Sequence, residues 1–178
     1  MTGEGYRPTS PDDPAASFAR LVEPELDVAY RVATFILGGD LLEAEDAVND
    51  AALRAWQHFA DLRDPARFDA WFSRIVVNSC RDRLRQHRVR PITGSDTERL
   101  HTPDPASAIA LSDALERAML ALSPDHRAVV GLRYLADCSL DEIAKRTGAR
   151  TGTVKSRLHF ALRALRAAVD ADAREVTR

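Results

Sequence analysis

The stretch "LDEIAKRTGARTGTVKSRL", from Leu140 to Leu158, has the pattern of a helix-turn-helix. Apolar residues recur at helical spacing on both sides of Gly148, which permits a tight turn between two helices. Ser139 and Glu142 form the S-x-x-E pattern of a capping box at the start of the first helix. The second helix is rich in hydroxyl and basic side chains, which suit DNA. We therefore predict a DNA-binding helix-turn-helix, with a plain helical hairpin that carries a solvated basic face as the alternative.

A projection of the second helix at about 100° per residue separates a core face from a DNA face. The core face consists of Val154, Leu158, Ala161 and Leu165. Lys155 and Arg157 flank the opposite face and suit phosphates, and Arg150 can reach a guanine edge with two hydrogen bonds. The predicted DNA-contacting residues are Arg150, Thr151, Gly152, Thr153, Lys155, Ser156, Arg157 and His159.

The composition indicates an all-α protein. Hydrophobic residues make up 45% and charged residues 29% of the 178 positions, and no segment alternates with the period of a strand. The chain has no signal-peptide pattern and no apolar run of membrane-spanning length, so we expect a cytoplasmic protein without membrane contact. Cys80 and Cys138 lie in unrelated contexts and are predicted to be reduced thiols. We expect no metal and no cofactor.

Turn signals divide the chain into two small helical domains joined by a flexible linker. Residues 1–16 contain three prolines and two glycines, and the stretch 89–110 contains three prolines and one glycine. The predicted parts are a disordered tail at 1–16, a first domain at 17–88, a linker at 89–110, the helix-turn-helix domain at 111–170 and a C-terminal tail at 171–178. The predicted helices cover 17–37 with a break or bend at Pro24, 41–60, 65–88, 111–122, 124–135, 139–148 and 151–169.

The net charge of −2 is unusual for a DNA-binding protein, but the charge is segregated along the chain. Residues 40–50 carry five acidic and no basic side chains, and the second predicted helix projects Asp46, Asn49, Asp50 and Leu53 from one side. This acidic face suits a basic protein surface, although a solvated helix face is the alternative. The third predicted helix carries a strip that can follow a phosphate backbone, formed by Arg67, Arg74, Asn78, Arg81, Arg85 and Arg88.

Four segments, in this order, resemble the signature segments of extracytoplasmic-function (ECF) sigma factors: "EAEDAVNDAALRAWQHF", "FDAWFSRIVVNSCRDRLRQHR", "ALSPDHRAVVGLRYLADCSLDEIA" and "TGTVKSRLHFALRALR". The resemblance implies a subunit that joins core RNA polymerase and directs it to promoter DNA. It implies that the first domain binds the β′ clamp helices and opens the minus-ten element. The second domain would read the duplex minus-thirty-five element and contact the β flap. Many members of this family are held by an anti-sigma factor, which is a further partner that the resemblance implies.

The resemblance also assigns residues. The core-polymerase-binding positions are Asp46, Asn49, Asp50 and Leu53, where Asn49-Asp50 stands in place of the family's usual Gln-Glu or Gln-Asp pair. The minus-ten positions, which meet single-stranded DNA, are His58, Asp61, Arg63, Arg67, Arg74, Asn78, Arg81 and Arg85. The loop from His58 to Asp64 matches the loop that captures a flipped base. Family members often have a Ser cap before the last helix. This chain has Arg150-Thr151 there, and we expect Thr151 to take over as the cap.

The sequence contains no enzyme signature such as a Walker loop, GxSxG or HExxH. Two alternatives to a sigma factor stay open at this point. One is a repressor or activator that binds duplex DNA without polymerase, for which the acidic face would have no use. The other is a sigma-like decoy that titrates a regulator.

Overall fold

The computed structural model describes residues 13–89 and 115–176, and the regular structure in these two ranges is entirely helical. The first range forms α1 (Pro14–Ile36), α2 (Leu41–Gln57) and α3 (Phe68–Val89). Two short 3₁₀ turns, Phe59–Asp61 and Pro65–Arg67, connect α2 to α3. The second range forms α4 (115–121), α5 (Pro124–Tyr134), α6 (Leu140–Thr147) and α7 (Thr151–Val176). The prediction of an all-α protein is confirmed.

The helix boundaries follow the caps that the sequence predicts. The capping box is complete: the backbone N–H of Glu142 donates to the Ser139 hydroxyl, and the Ser139 N–H donates to the Glu142 carboxylate at 2.7 Å. Ser123 caps α5 with Pro124 at its first position. Gly38 and Gly148 adopt left-handed φ angles of 79° and 70°, as the turns after α1 and α6 require.

Four predicted boundaries are wrong. Helix α3 begins at Phe68, because residues 65–67 form a 3₁₀ turn after the Asp64 cap. The Asp13 side chain accepts the Ala15 N–H and Pro14 is compatible with the first turn, so α1 starts inside the predicted tail and continues through Pro24. Phe18, Leu21 and Val22, which precede Pro24, pack against the core, and this packing outweighs the one hydrogen bond that Pro24 cannot make. Helix α2 stops at Gln57 because the chain enters a 3₁₀ turn. Helix α7 extends beyond 169–170 to Val176, since no Gly or Pro interrupts it.

Some predicted features lie outside the described residues. These are residues 1–12 of the predicted tail, the predicted linker from residue 90 onward, the start of the predicted helix 111–122, and the last two residues of the chain. Within the described residues, no helix is long and apolar enough to cross a membrane.

The two predicted domains pack against each other. Helix α3 lies against α6, and α1 lies against α5. One continuous cluster of buried residues connects Ile36 and Phe72 of the first half with Leu132, Ile143 and Val154 of the second. The sequence led us to expect two separate domains, and the shared core is a finding of the structure.

Polar side chains add to this packing. Arg146 of α6 is buried and forms an ion pair with Asp69 of α3 at 2.7 Å. Glu25 of α1 lies near both residues, and burial, together with the negative charge of Asp69, raises the pKa of its carboxyl group. These groups bring α1, α3 and α6 together.

Both cysteines are free and buried. Burial raises the pKa of Cys80 to about 12 and also raises the pKa of Cys138. Both thiols are therefore protonated at neutral pH and are poor nucleophiles, in agreement with the predicted reduced state.

Candidate nucleic-acid and protein interfaces

The acidic face lies on α2, with the side chains that the sequence placed there. The opposite side of α2 is buried by small residues, which are Ala44, Ala47, Val48, Ala51 and Ala55. Asp46, Asn49, Asp50 and Leu53 are exposed. Leu53 keeps 56% of its surface in solvent and places an apolar side chain beside the carboxylates. The four residues form one accessible surface.

Arg83 of α3 binds three carboxylates of this face. The sequence analysis did not predict this contact. One guanidinium nitrogen lies 3.0 Å from the Glu43 carboxylate and 3.3 Å from that of Asp46, and a second lies 2.7 Å from Asp50. Burial opposes the charge of Arg83, but the hydrogen bonds to Asp50 and Glu43 prevail, and its pKa is raised. Arg83 therefore holds three carboxylates of this face in fixed positions. The spacing of residues within α2 or within α3 does not indicate that Arg83 contacts α2.

Aromatic side chains of α1, α2 and the loop itself pack together where the α2–α3 loop begins. Phe18 of α1 makes edge contacts with Trp56 and Phe59, whose ring centroids lie 5.4 and 5.3 Å away. A cavity of about 510 Å³ opens beside these rings at the foot of the loop. The predicted loop residues His58, Asp61 and Arg63 are all exposed, and the His58 ring lies 3.1 Å from the Asp61 carboxylate.

The predicted arginine strip of α3 divides into exposed and engaged residues. Arg74 and Asn78 are exposed. Arg67 and Arg85 are also largely in solvent, where they pair with the nearby carboxylates of Asp64 and Asp82, respectively. Arg81 is different because only 17% of its side chain is exposed. The side chain of Arg88 lies outside the part that the structure describes.

The helix-turn-helix presents the predicted face on α7. Val154 and Ala161 are fully buried, while Gly152, Ser156 and His159 are exposed. Arg150, Thr153 and Lys155 are exposed on the same helix end. This separation of faces agrees with the helical projection.

The predicted cap of α7 is wrong. Thr151 is the first helical residue, so it cannot be the flanking cap. Its hydroxyl donates to the Asp141 carboxylate of α6 at 2.9 Å. Thr151 therefore ties the start of α7 to the start of α6, a contact between helices that the family pattern did not indicate.

Asp125 of α5 connects the two predicted DNA-binding faces. One of its oxygens accepts from the guanidinium of Arg81 at 2.9 and 3.0 Å, and the other accepts from Arg157 of α7 at 2.5 Å. Arg81 also donates to the backbone oxygen of Thr147 at 3.2 Å. A cleft of about 880 Å³ separates the faces, and its lining includes Asn78, Arg81, Arg85, Thr153 and Arg157. Residues predicted to contact two promoter elements thus face each other in this arrangement.

Comparison with known proteins identifies the family. Residues 21–90 match Sigma-70 region 2 and residues 112–165 match Sigma-70, region 4. The curated "ECF RNA polymerase sigma factor SigL" of Mycobacterium tuberculosis strain H37Rv is 39% identical over 160 residues, which cover 85% of this chain and 88% of that protein. The chain belongs to the ECF sigma factors. ECF sigma factor SigW of Bacillus subtilis is 27% identical over 84% of this chain and 87% of its own length.

Solved structures share the sigma-factor fold. The sigma factor RpoE, in complex with the anti-sigma factor NepR from Bartonella quintana, superposes with a TM-score of 0.66 at 23% identity, over 87% of this chain and 98% of that one. CnrH, in complex with the cytosolic domain of CnrY, gives a TM-score of 0.60 at 26% identity, over 89% and 96% of the two chains. The resemblance drawn from the four sequence segments is confirmed.

The Arg83 network generates a prediction about stability. Arg83→Met keeps the apolar stem but leaves three carboxylates close together, so we expect a loss of about 1–3 kcal/mol in the free energy of unfolding. Urea denaturation followed by circular dichroism measures it. Arg85→Met on the same helix is the control, because Arg85 is mostly in solvent and should change stability little. Equal effects of the two substitutions would contradict the role given to Arg83.

Proposed function

We propose that this ECF sigma factor binds core RNA polymerase through the acidic face of α2 and directs it to promoters through α3 and α7. The observation that carries the proposal is the exposure of Asn49, Leu53, Asn78 and Arg150, at positions that match three different sigma-factor motifs. A protein that only folds as a helical bundle has no need for three such surfaces. We infer that it acts by binding, without catalysis, and in the cytoplasm, where polymerase and promoter DNA are found.

Physical complementarity supports the polymerase contact. Leu53 offers an apolar centre, and the surrounding carboxylates offer charge complementarity to a basic surface such as the β′ clamp helices. Because Arg83 holds Asp46 and Asp50 in place, little side-chain entropy is lost when a partner binds. Region 4 would then make the β flap contact.

The α2–α3 loop and α3 suit single-stranded minus-ten DNA. Arg74 and Asn78 offer a phosphate contact and an amide for a base edge. The loop from His58 to Asp64 stands beside the aromatic cavity, where an unstacked base has room. Unpaired bases expose edges and ring faces that a duplex hides, so this surface suits melted DNA.

The first turns of α7 suit the duplex minus-thirty-five element. Gly152 has no side chain, so the helix can approach the groove closely. Arg150 makes no ion pair among the described residues and is available to a guanine edge, while Lys155 can take a phosphate.

An anti-sigma factor is the regulatory partner that we propose. Both solved relatives are in complex with a second protein, which for RpoE is the anti-sigma factor NepR and for CnrH is the cytosolic domain of CnrY. Arg81 and Arg157 bind Asp125 in the packed arrangement, so a protein that favours this packing would keep both residues from DNA. A repressor that works without polymerase and a decoy are the alternatives, and both fail to predict promoter-specific transcription with core enzyme.

The polymerase contact is tested by adding positive charge to the acidic face at positions outside the Arg83 network. Asn49→Arg with Leu53→Arg adds two positive charges to exposed positions, and we expect at least a tenfold loss of affinity for core polymerase, about 1.4 kcal/mol. Fluorescence anisotropy of labelled protein measures the affinity. Glu45→Arg is the control because it adds charge to an exposed α2 position outside the predicted contact. If Glu45→Arg weakens binding as much as the double substitution, the acidic-face assignment is wrong.

The minus-thirty-five contact is tested by two substitutions that should have different effects on promoter binding. Arg150→Ala should cost about 1–3 kcal/mol and relax preference at one base position. Lys155→Ala should weaken all promoters alike and reduce the salt slope by about one. The measurement is binding of the variant holoenzymes to a set of promoters with single minus-thirty-five substitutions. An unchanged base preference in Arg150→Ala, together with an altered one in Lys155→Ala, would refute this division of roles.

A further inference from the structure

A groove between the two halves shares no lining residue with the Asp125 cleft. It has a volume of about 470 Å³, and α1 with the turn after it forms one wall while α4 and α5 form the other. The apolar part of its lining consists of Tyr30, Phe35, Leu41, Met119, Leu120 and Leu135. The volume lies in the range of sites that hold small organic molecules.

A buried guanidinium reaches into this groove. Arg127 of α5 is only 7% exposed, and its Nε has no hydrogen-bond partner. Its Nη1 lies against the backbone of Gly38, where a Cβ atom would come within 2.8 Å of it. Burial lowers the pKa of Arg127, and no neighbouring carboxylate compensates that effect.

Among the described residues, the lack of a carboxylate partner distinguishes Arg127 from Arg83 and Arg146. Arg83 and Arg146 also have an unpartnered, buried Nε, but Arg83 binds three carboxylates and Arg146 binds Asp69. Among the described residues, no ion pair joins Arg127 to an acid, and Glu116, which also lines the groove, forms none with it. A desolvated guanidinium without a counter-charge is unfavourable, so an anion that enters the groove would relieve an existing cost.

We propose that this groove binds a small amphipathic carboxylate, with its carboxylate at the Arg127 guanidinium and its apolar chain along Phe35 and Leu120. The charged end matches the guanidinium, which can bind a carboxylate with two parallel hydrogen bonds. The apolar walls match the chain. Because the ligand would contact α1 of one half and α5 of the other, binding would also stabilise the packing of the two halves.

Decanoate, kept below its micelle-forming concentration, is the probe. Isothermal titration calorimetry with the full-length protein should show one saturable site, and Arg127→Met should bind decanoate at least tenfold more weakly. Arg166→Met removes an exposed arginine of α7 and should bind like the unsubstituted protein. Circular dichroism and thermal melting establish that both variants are folded.

A second comparison uses two ligands and only the unsubstituted protein. Decanol has the same chain without the charge and should bind the unsubstituted protein at least tenfold more weakly than decanoate. The proposal is overturned if decanoate shows no saturable binding, if decanol binds equally well, or if folded Arg127→Met binds decanoate with unchanged affinity.

Discussion

The ion pairs of Asp125 join the two predicted DNA-binding faces, alongside the apolar core that the two halves share. This carboxylate, in the first turn of α5, accepts from Arg81 of α3 and Arg157 of α7. Since Arg81 also donates to the carbonyl of Thr147 at the end of α6, four helices meet at this point. Exposed ion pairs contribute about 0–1 kcal/mol, and the partial burial of both arginines reduces the solvent screening of these pairs.

The same guanidinium groups are the ones that we propose for DNA. If Arg81 and Arg157 bind phosphates as proposed, a phosphate competes with the Asp125 carboxylate for them, so we expect packing of the two halves and full engagement of promoter DNA to exclude each other. The acidic face on α2 lies outside this competition, because Asn49 and Leu53 are exposed while the halves are packed. Core polymerase can therefore bind first, and its binding energy can support the separation of the halves. From this order and the net charge of −2, we expect the chain to bind promoters together with polymerase and only weakly alone.

The sequence predicted what is local to one helix. Ser139, Ser123 and Gly148 mark boundaries because caps and left-handed turns depend on a few neighbouring residues. The faces of α2 and α7 were also predictable, since helical periodicity alone determines them. Contacts between helices were not predictable from the sequence. The binding of Arg83 to the acidic face and of Asp125 to two arginines depend on tertiary packing, which has no signature in spacing. The continuation of α1 through Pro24 has the same origin, because packing of the preceding turns against the core outweighs a local preference.

The two halves are packed in the free protein, and we expect them to separate on promoter DNA. Single-molecule energy transfer between dyes on exposed Gln57 of α2 and exposed Ala167 of α7 tests it directly, and buried Cys80 and Cys138 with their raised pKa values stay unlabelled. We expect one high-transfer population in the free protein and a low-transfer population in the complex with core polymerase and promoter DNA. Asp125→Ala should increase the low-transfer fraction of the free protein, and Asp82→Ala, which removes pairs confined to the first half, should not. An identical high-transfer population in the free and promoter-bound protein would contradict the account.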